Sequence, residues 1–194
     1  MSALTITAEE CAFTMPVVNG DWRKIHKDVH EVINGPTPAD RSWIFSVTPM
    51  PPDDRVAIVT ARAPVLGDHL EKTPSKLSVH AGDRLRLECP LACSRRHKGE
   101  NGCDVERPVP ALEVPEFAAS VLGRFGMSPE SVDVQSYQRR FVRKPAKDFF
   151  VVQAGIIANV TITDPALFAQ AYLYGVGRKK TYGFGMLEVI DDVG

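Results

Sequence analysis

The chain has no apolar run approaching the roughly 18 residues that a membrane-spanning helix needs. Its first ten residues, Met1 to Glu10, carry neither a basic n-region nor a long h-region, so the cytoplasm is the expected compartment. Cysteine is scarce: there are four, three of them crowded between Cys89 and Cys103, unlike the spread framework of a disulfide-rich secreted domain. Net charge is nearly absent as well, at −1, so the molecule as a whole does not advertise nucleic-acid binding.

The distribution of charge does. Segments 84–98, 139–147 and 178–180 hold thirteen of the 23 lysines and arginines and a single acid, Glu88. Local excesses of that kind are selected by phosphate backbones, although three separate solvated faces would read the same way. A hydrophobic content of 44% over 194 residues is ample for a buried core in one domain or two small ones.

Local patterns give the order of elements. Leu4 to Phe13 reads as a strand, and Asp21 opens an amphipathic helix that runs to Asn34-Gly35, with Pro36 as a stop. Trp22, Ile25, Val29, Val32 and Ile33 form its apolar stripe. Ser42 to Thr48 and Val56 to Arg62 read as a strand pair around a rigid turn at Pro49 to Asp54, then come a weak helix and a strand at Leu77 to His80. The second half repeats the order: a strand at Arg84 to Cys89, a helix at Val114 to Phe125, and strands at Val132 to Val142 and Phe149 to Ile162. Asp164-Pro165 then caps a helix to Tyr174, and Gly185 to Ile190 is the last strand. The expected fold is therefore α+β, two β-α-β-β-α-β units at 1–82 and 83–194 joined at Ala81-Gly82-Asp83.

Three constellations could carry chemistry. His26 and His30 lie one turn apart on the first helix, but His26-Lys27-Asp28-Val29-His30 lacks the glutamate of the zinc-hydrolase pattern. On a helical projection His26 falls on the shoulder of the apolar stripe, where packing can fix a rotamer that still reaches solvent, as a general acid or base requires. Arg23 and Lys27 beside it would attract a phosphodiester; a boundary histidine without a role is the plainer reading. Cys89, Cys93, His97 and Cys103 are potential zinc ligands without C-x2-C pairing, so free thiols in a basic loop are the alternative. The third is Gly175-Val176-Gly177-Arg178-Lys179-Lys180-Thr181-Tyr182-Gly183-Phe184-Gly185, two Gly-x-Gly pairs bracketing three cations. Its amides could approach phosphates because no Cβ intervenes. It is neither a P-loop, since Lys179 stands where that motif has glycine, nor a dinucleotide fingerprint, since it follows a helix and precedes a strand. A mobile basic turn is the bland alternative.

This terminal segment, continued by Met186-Leu187, resembles the glycine-rich motif G-x-G-x-x-K-x-x-G-x-G-L-L of the CRISPR RNA-processing endoribonucleases. The two halves and the stretch Gly155 to Asp164 are most similar to the CasE branch, the processing subunit of Cascade; the likeness is weak between Ala63 and Pro115. The resemblance implies two tandem ferredoxin-like domains with a C-terminal glycine-rich loop. It implies a catalytic histidine on the first helix, matched in D-x-x-x-x-H by Asp21 and His26, with Arg23 where the family often has tyrosine. Arg23 and Lys27 then become candidates for charge stabilisation. The family's arginine-rich hairpin corresponds to Arg139, Arg140, Arg143, Lys144 and Lys147, and Gly175, Gly177, Arg178, Lys179, Lys180 and Gly183 would complete the RNA contacts. The implied reaction is metal-independent and cofactor-free: cleavage of precursor RNA after a repeat stem-loop leaves a 5′-hydroxyl and a 2′,3′-cyclic phosphate. The product stays bound within an RNA-guided complex that includes a backbone subunit, and the free protein is expected to be monomeric. A non-catalytic RNA-binding subunit and a zinc-stabilised interaction module are the competing readings.

Overall fold

The computed structural model describes residues 3–17, 21–35, 42–50, 55–99, 101–142 and 149–192. The first half runs β1 (Leu4–Pro16), α1 (Trp22–Asn34), β2 (Ile44–Pro49), β3 (Val56–Ala63) and β4 (Thr73–Val79). Its sheet has the order β2-β3-β1-β4 with every neighbour antiparallel. The second half runs β5 (Arg84–Ala92), a separate hairpin of β6 (Ser94–Lys98) and β7 (Asp104–Pro108), α2 (Val114–Gly123), β8 (Met127–Val142), β9 (Phe149–Ile162), α3 (Pro165–Tyr174) and β10 (Glu188–Asp192). Its main sheet has the matching order β10-β5-β9-β8. Both halves are ferredoxin-like.

The helix ends form where their side chains satisfy orphan amides. Asp21 accepts from the Arg23 N–H at 3.0 Å, and Asp164 accepts from Ala166 and Leu167 at 2.9 and 3.1 Å. On α1 the apolar stripe buries Trp22, Ile25, Val29 and Ile33, each contributing about 1.5–3 kcal/mol. Val32, expected in that stripe, is exposed, and Asn34 is buried in its place.

Three expectations need correction. The segment 64–72 contains no helix: Pro64 and Gly67 interrupt it, and a turn closes with the Leu70 N–H donating to Gly67 O. The β6–β7 hairpin was not expected, because its residues are almost all exposed and lack alternation. Gly185 to Leu187 are buried but unladdered, and β10 begins at Glu188. Of the expected turn at Pro49 to Asp54, Pro49 ends β2 and Pro51 to Asp54 lie outside the described residues.

Each half's core borrows from the other. The core under the second sheet includes Ile6 and Val79, and the core around α1 includes Val142, Val151 and Phe184. Arg62 on β3 clasps the joint. It is 3% exposed, donates to Glu10 at 2.6 Å and to the carbonyls of Tyr172 and Leu187 at 3.1 and 2.7 Å, and stacks 3.7 Å over the Tyr172 ring. Ser46 adds a 3.0 Å bond to Glu188.

Candidate functional site

Helix α1 sets His26 half-buried at the edge of its apolar stripe, as the projection predicted. One turn on, the His30 ring lies 6.0 Å away, centroid to centroid. His30 is held from behind: the Asn34 amide nitrogen is 2.8 Å from its Nδ1, and Trp43 donates to Asn34 Oδ1 at 3.2 Å.

The glycine segment comes to meet this helix from some 150 residues away. Phe184 is fully buried and stacks on Trp22 at 5.3 Å. That depth requires glycine on both sides. A Cβ on Gly183 would meet the Phe45 ring at 2.9 Å, and one on Gly185 would meet Val176 O at 2.0 Å. The amides of Gly175, Val176, Tyr182, Gly183 and Gly185 all donate to protein carbonyls. The expected phosphate role of Gly175 and Gly183 is therefore corrected: both are buried, and their N–H groups serve a clasp. Gly177 to Thr181 are left to face a ligand.

Between the glycines, Lys179 takes the left-handed conformation (φ 60°, ψ 27°), which costs a non-glycine residue about 1–2 kcal/mol. A single 3-10 turn at Lys180–Tyr182 follows, closed by Gly183 at φ 81°. This sharp reversal sends Lys180 one way and Arg178 and Lys179 the other. Lys180 enters a cavity of about 170 Å³ that it lines together with His26, His30, Trp43, Tyr174 and Thr181. Burial pushes the pKa of its ammonium below the ordinary lysine value, and its Nζ lies 3.4 Å from Gly175 O. The Tyr182 ring lies 5.5 Å from His26. Lys179 and Arg178 instead approach Glu106 of β7, at 3.0 and 3.8 Å. Burial opposes ionisation of Glu106, but the Ser94 hydroxyl and the two cations hold its carboxyl below the usual value.

The other candidate residues are dispersed. Arg23 and Lys27 are exposed and do not line the cavity, and Lys27 pairs with Glu31 at 3.5 Å on the outer face of α1. Arg139 is exposed on β8, whereas its neighbour Arg140 donates to Gln153 at 2.7 Å and lies 5.0 Å over the Trp22 ring. Arg143, Lys144 and Lys147 lie outside the described residues. The four candidate zinc ligands do not converge: Cys89 and Cys93 are buried in the second core, while His97 and Cys103 are exposed on the hairpin and its turn. Burial drives both core thiols away from the thiolate a metal needs, Cys93 up to about 11. Among the described residues no three His, Cys, Asp or Glu side chains form a metal-holding group.

Sequence reasoning missed Tyr182, Trp43, Tyr174 and Glu106. Tyr182 lay inside the glycine motif and could have been weighed; the others carry no local signal.

The structure defines a tandem pair of ferredoxin-like halves in which a histidine on the first helix meets a basic, glycine-framed loop from the end of the second. The sequence matches the model of the CRISPR associated protein family over residues 2–190, and the chain belongs to that family. No curated protein matches the sequence. Among solved structures it is similar to the CRISPR endoribonuclease Cse3 bound to a 19-nucleotide RNA, with 16% identity over 98% of this chain and 100% of that chain, TM-score 0.71. It is also similar to the CRISPR-associated protein Cas6e from Escherichia coli K-12, with 13% identity over 95% and 98% of the two chains, TM-score 0.71. A chain of a CRISPR RNA-guided surveillance complex is 16% identical over 93% and 98%, TM-score 0.64. At these identities the likeness is one of fold.

Proposed function

We propose that this protein is a CasE-type endoribonuclease that binds the stem-loop of a CRISPR repeat, cleaves the precursor RNA beside it, and stays with the product in an RNA-guided complex. The observation that carries the reading is the single cavity in which His26 of the first half and Lys180 of the second both stand. Family membership and the RNA-bound Cse3 and surveillance-complex neighbours support the substrate class.

The nucleophile is the RNA's own 2′-OH. Its oxygen bonds to the adjacent phosphorus, the bond from phosphorus to the 5′ oxygen breaks, and the products are a 2′,3′-cyclic phosphate and a 5′-hydroxyl. The proton that leaves the 2′-OH and the one that reaches the 5′ oxygen balance, so one imidazole at His26 can take the first and return the second. Charge accumulates on the non-bridging oxygens in the transition state, and a half-buried ammonium at Lys180 neutralises it in a site that water screens poorly. Lys180 thus takes the place expected for Arg23 and Lys27. This chemistry asks for no metal. Tyr182 brings an aromatic ring to 5.5 Å from the His26 ring, where it helps to orient the imidazole.

The test is incubation with the repeat RNA of the protein's own genome in EDTA, comparing wild type with His26→Ala and His30→Ala. Cleavage that persists in EDTA and is abolished by His26→Ala supports the proposal. Cleavage by His26→Ala at the wild-type rate overturns the assignment, and tight binding without cleavage by wild type makes the protein a non-catalytic RNA-binding subunit.

A further inference from the structure

The three consecutive cations of the glycine loop open onto three cavities. Lys180 lines that of His26, Lys179 lines one of about 330 Å³ with Phe149 and Phe150, and Arg178 lines one of about 600 Å³ against α2. The second and third cavities adjoin at Ser94, which borders both. The first shares no lining residue with either, and the Tyr182 ring stands between it and the second, 5.5 Å from His26 and 6.3 Å from Phe149. A groove therefore runs from Phe149 to α2, with Tyr182 separating it from His26.

The largest cavity is chemically distinct from the catalytic one. Arg95, Arg96 and His97 of β6 and Arg124 of α2 line it with Arg178, over a floor that includes Phe117. Its volume falls in the range of nucleotide-sized sites, roughly 300–1,000 Å³. Three of the arginines lean on carboxylates: Arg95 on Glu113, Arg96 on Asp104 at 3.1 Å and Arg178 on Glu106 at 3.8 Å. The first two pairs are solvent-exposed and so weak enough to exchange for a phosphate, and the third is long and half-buried. Among the described residues Arg124 and His97 make no ion pair. Planar guanidinium groups beside an aromatic face form the combination that takes unpaired bases and their phosphates.

Given the proposed stem-loop function, we infer that this cavity binds the single-stranded RNA that enters the stem on its 5′ side. The route sets the polarity. The cavity adjoins the Phe149 and Phe150 compartment, at the start of β9 beside the end of β8 that carries Arg139 and Arg140, and shares no lining residue with the cavity of His26. A strand seated there continues from the stem and not from the scissile phosphate. With cleavage at the 3′ foot of the stem, that strand is the 5′ one.

The experiment measures Kd for stem-loop RNAs blocked by a 2′-deoxy sugar at the cleavage site and carrying no flank, a 5′ flank or a 3′ flank of about six nucleotides. Proteins are wild type, Arg124→Ala and Arg96→Ala, exposed positions whose loss does not threaten the core. A 5′ flank is expected to tighten wild-type binding about tenfold, one stacked base with its phosphate being enough. In either variant most of that gain disappears, and the salt slope for the 5′-flanked RNA falls by about 0.7 per arginine removed. The bare stem-loop stays within about twofold, as expected for surface substitutions. A gain from the 3′ flank instead, a 5′ gain that survives both variants, or a loss shared equally by all three RNAs overturns the inference. If wild type fails to bind the bare stem-loop, the proposed function fails and not this site alone.

Discussion

In the first half, segment 64–72 joins β3 to β4 without a helix, whereas in the second half α3 fills the same connection and the glycine loop follows it. The second half also inserts the β6–β7 hairpin, which has no counterpart among the described residues of the first. One strand order thus supports two kinds of cargo. The first half offers an imidazole on a short helix, and the second offers cations on a loop, a hairpin and a long strand pair. Neither half forms the His26–Lys180 cavity by itself. The candidate site exists at their joint, where Phe184 stacks on Trp22 and Arg62 ties β3 to the carbonyls of Tyr172 and Leu187.

Removing the first half's cargo should have the largest effect. His26→Ala is expected to slow single-turnover cleavage by about 10²–10⁴-fold while leaving Kd for blocked RNA unchanged, because proton transfer is lost and the strand's contacts are not. A matching loss of affinity would mean that His26 binds RNA and does not transfer protons. Breaking the joint comes next. Arg62→Ala strands the Glu10 carboxylate and two buried carbonyls, so urea unfolding should show a loss of about 3–5 kcal/mol. A loss below about 1 kcal/mol would mean that the halves are held by apolar packing alone.

Removing the second half's cargo is expected to cost somewhat less. Lys180→Ala should lower the saturating cleavage rate by about 10²-fold, the lower end of what one charge-stabilising donor is worth. The pH profile separates this from simple RNA binding. Burial places the Lys180 ammonium below the ordinary lysine value, so the wild-type rate should fall as pH rises through that lowered value. Lys180→Arg keeps its charge at every accessible pH, and the alkaline fall should vanish with it. An identical alkaline limb in that variant would assign the titration elsewhere.

Most of the fold was legible because its signals are local. The α1 stripe, the Asp21 and Asp164 caps and the repeated order of strands and helices all lie within short windows. What stayed hidden depends on distance or on the absence of pattern. The β6–β7 hairpin pairs Ser94–Lys98 with Asp104–Pro108 through exposed, non-alternating residues, so no periodicity marks it. The shoulder position of His26 could be read from one helix. Its meeting with Lys180 could not, since the contact spans most of the chain. The glycines show the limit most clearly: the same Gly-x-Gly spacing suits a phosphate cradle and a buried clasp. Only the 2.0 Å clearance at Gly185 and the committed amides separate the two.

The smallest expected effect lies on the outer face of α1 and sharpens the contrast between the halves. Arg23 and Lys27 stand beside His26 in sequence and looked like natural partners for a phosphorane. Helical geometry turns both away: neither lines the cavity, and Lys27 reaches back to Glu31 in an exposed pair. An exposed cation outside the site acts on the reacting phosphate only through solvent, which screens it. Arg23→Ala and Lys27→Ala should therefore each change the saturating cleavage rate by no more than about twofold, as is usual for surface substitutions. Any weakening of RNA affinity should disappear at high salt. A tenfold fall in rate at saturating RNA for either variant would move the stabilising charge back onto the first half, and with it the claim that chemistry and charge come from different halves.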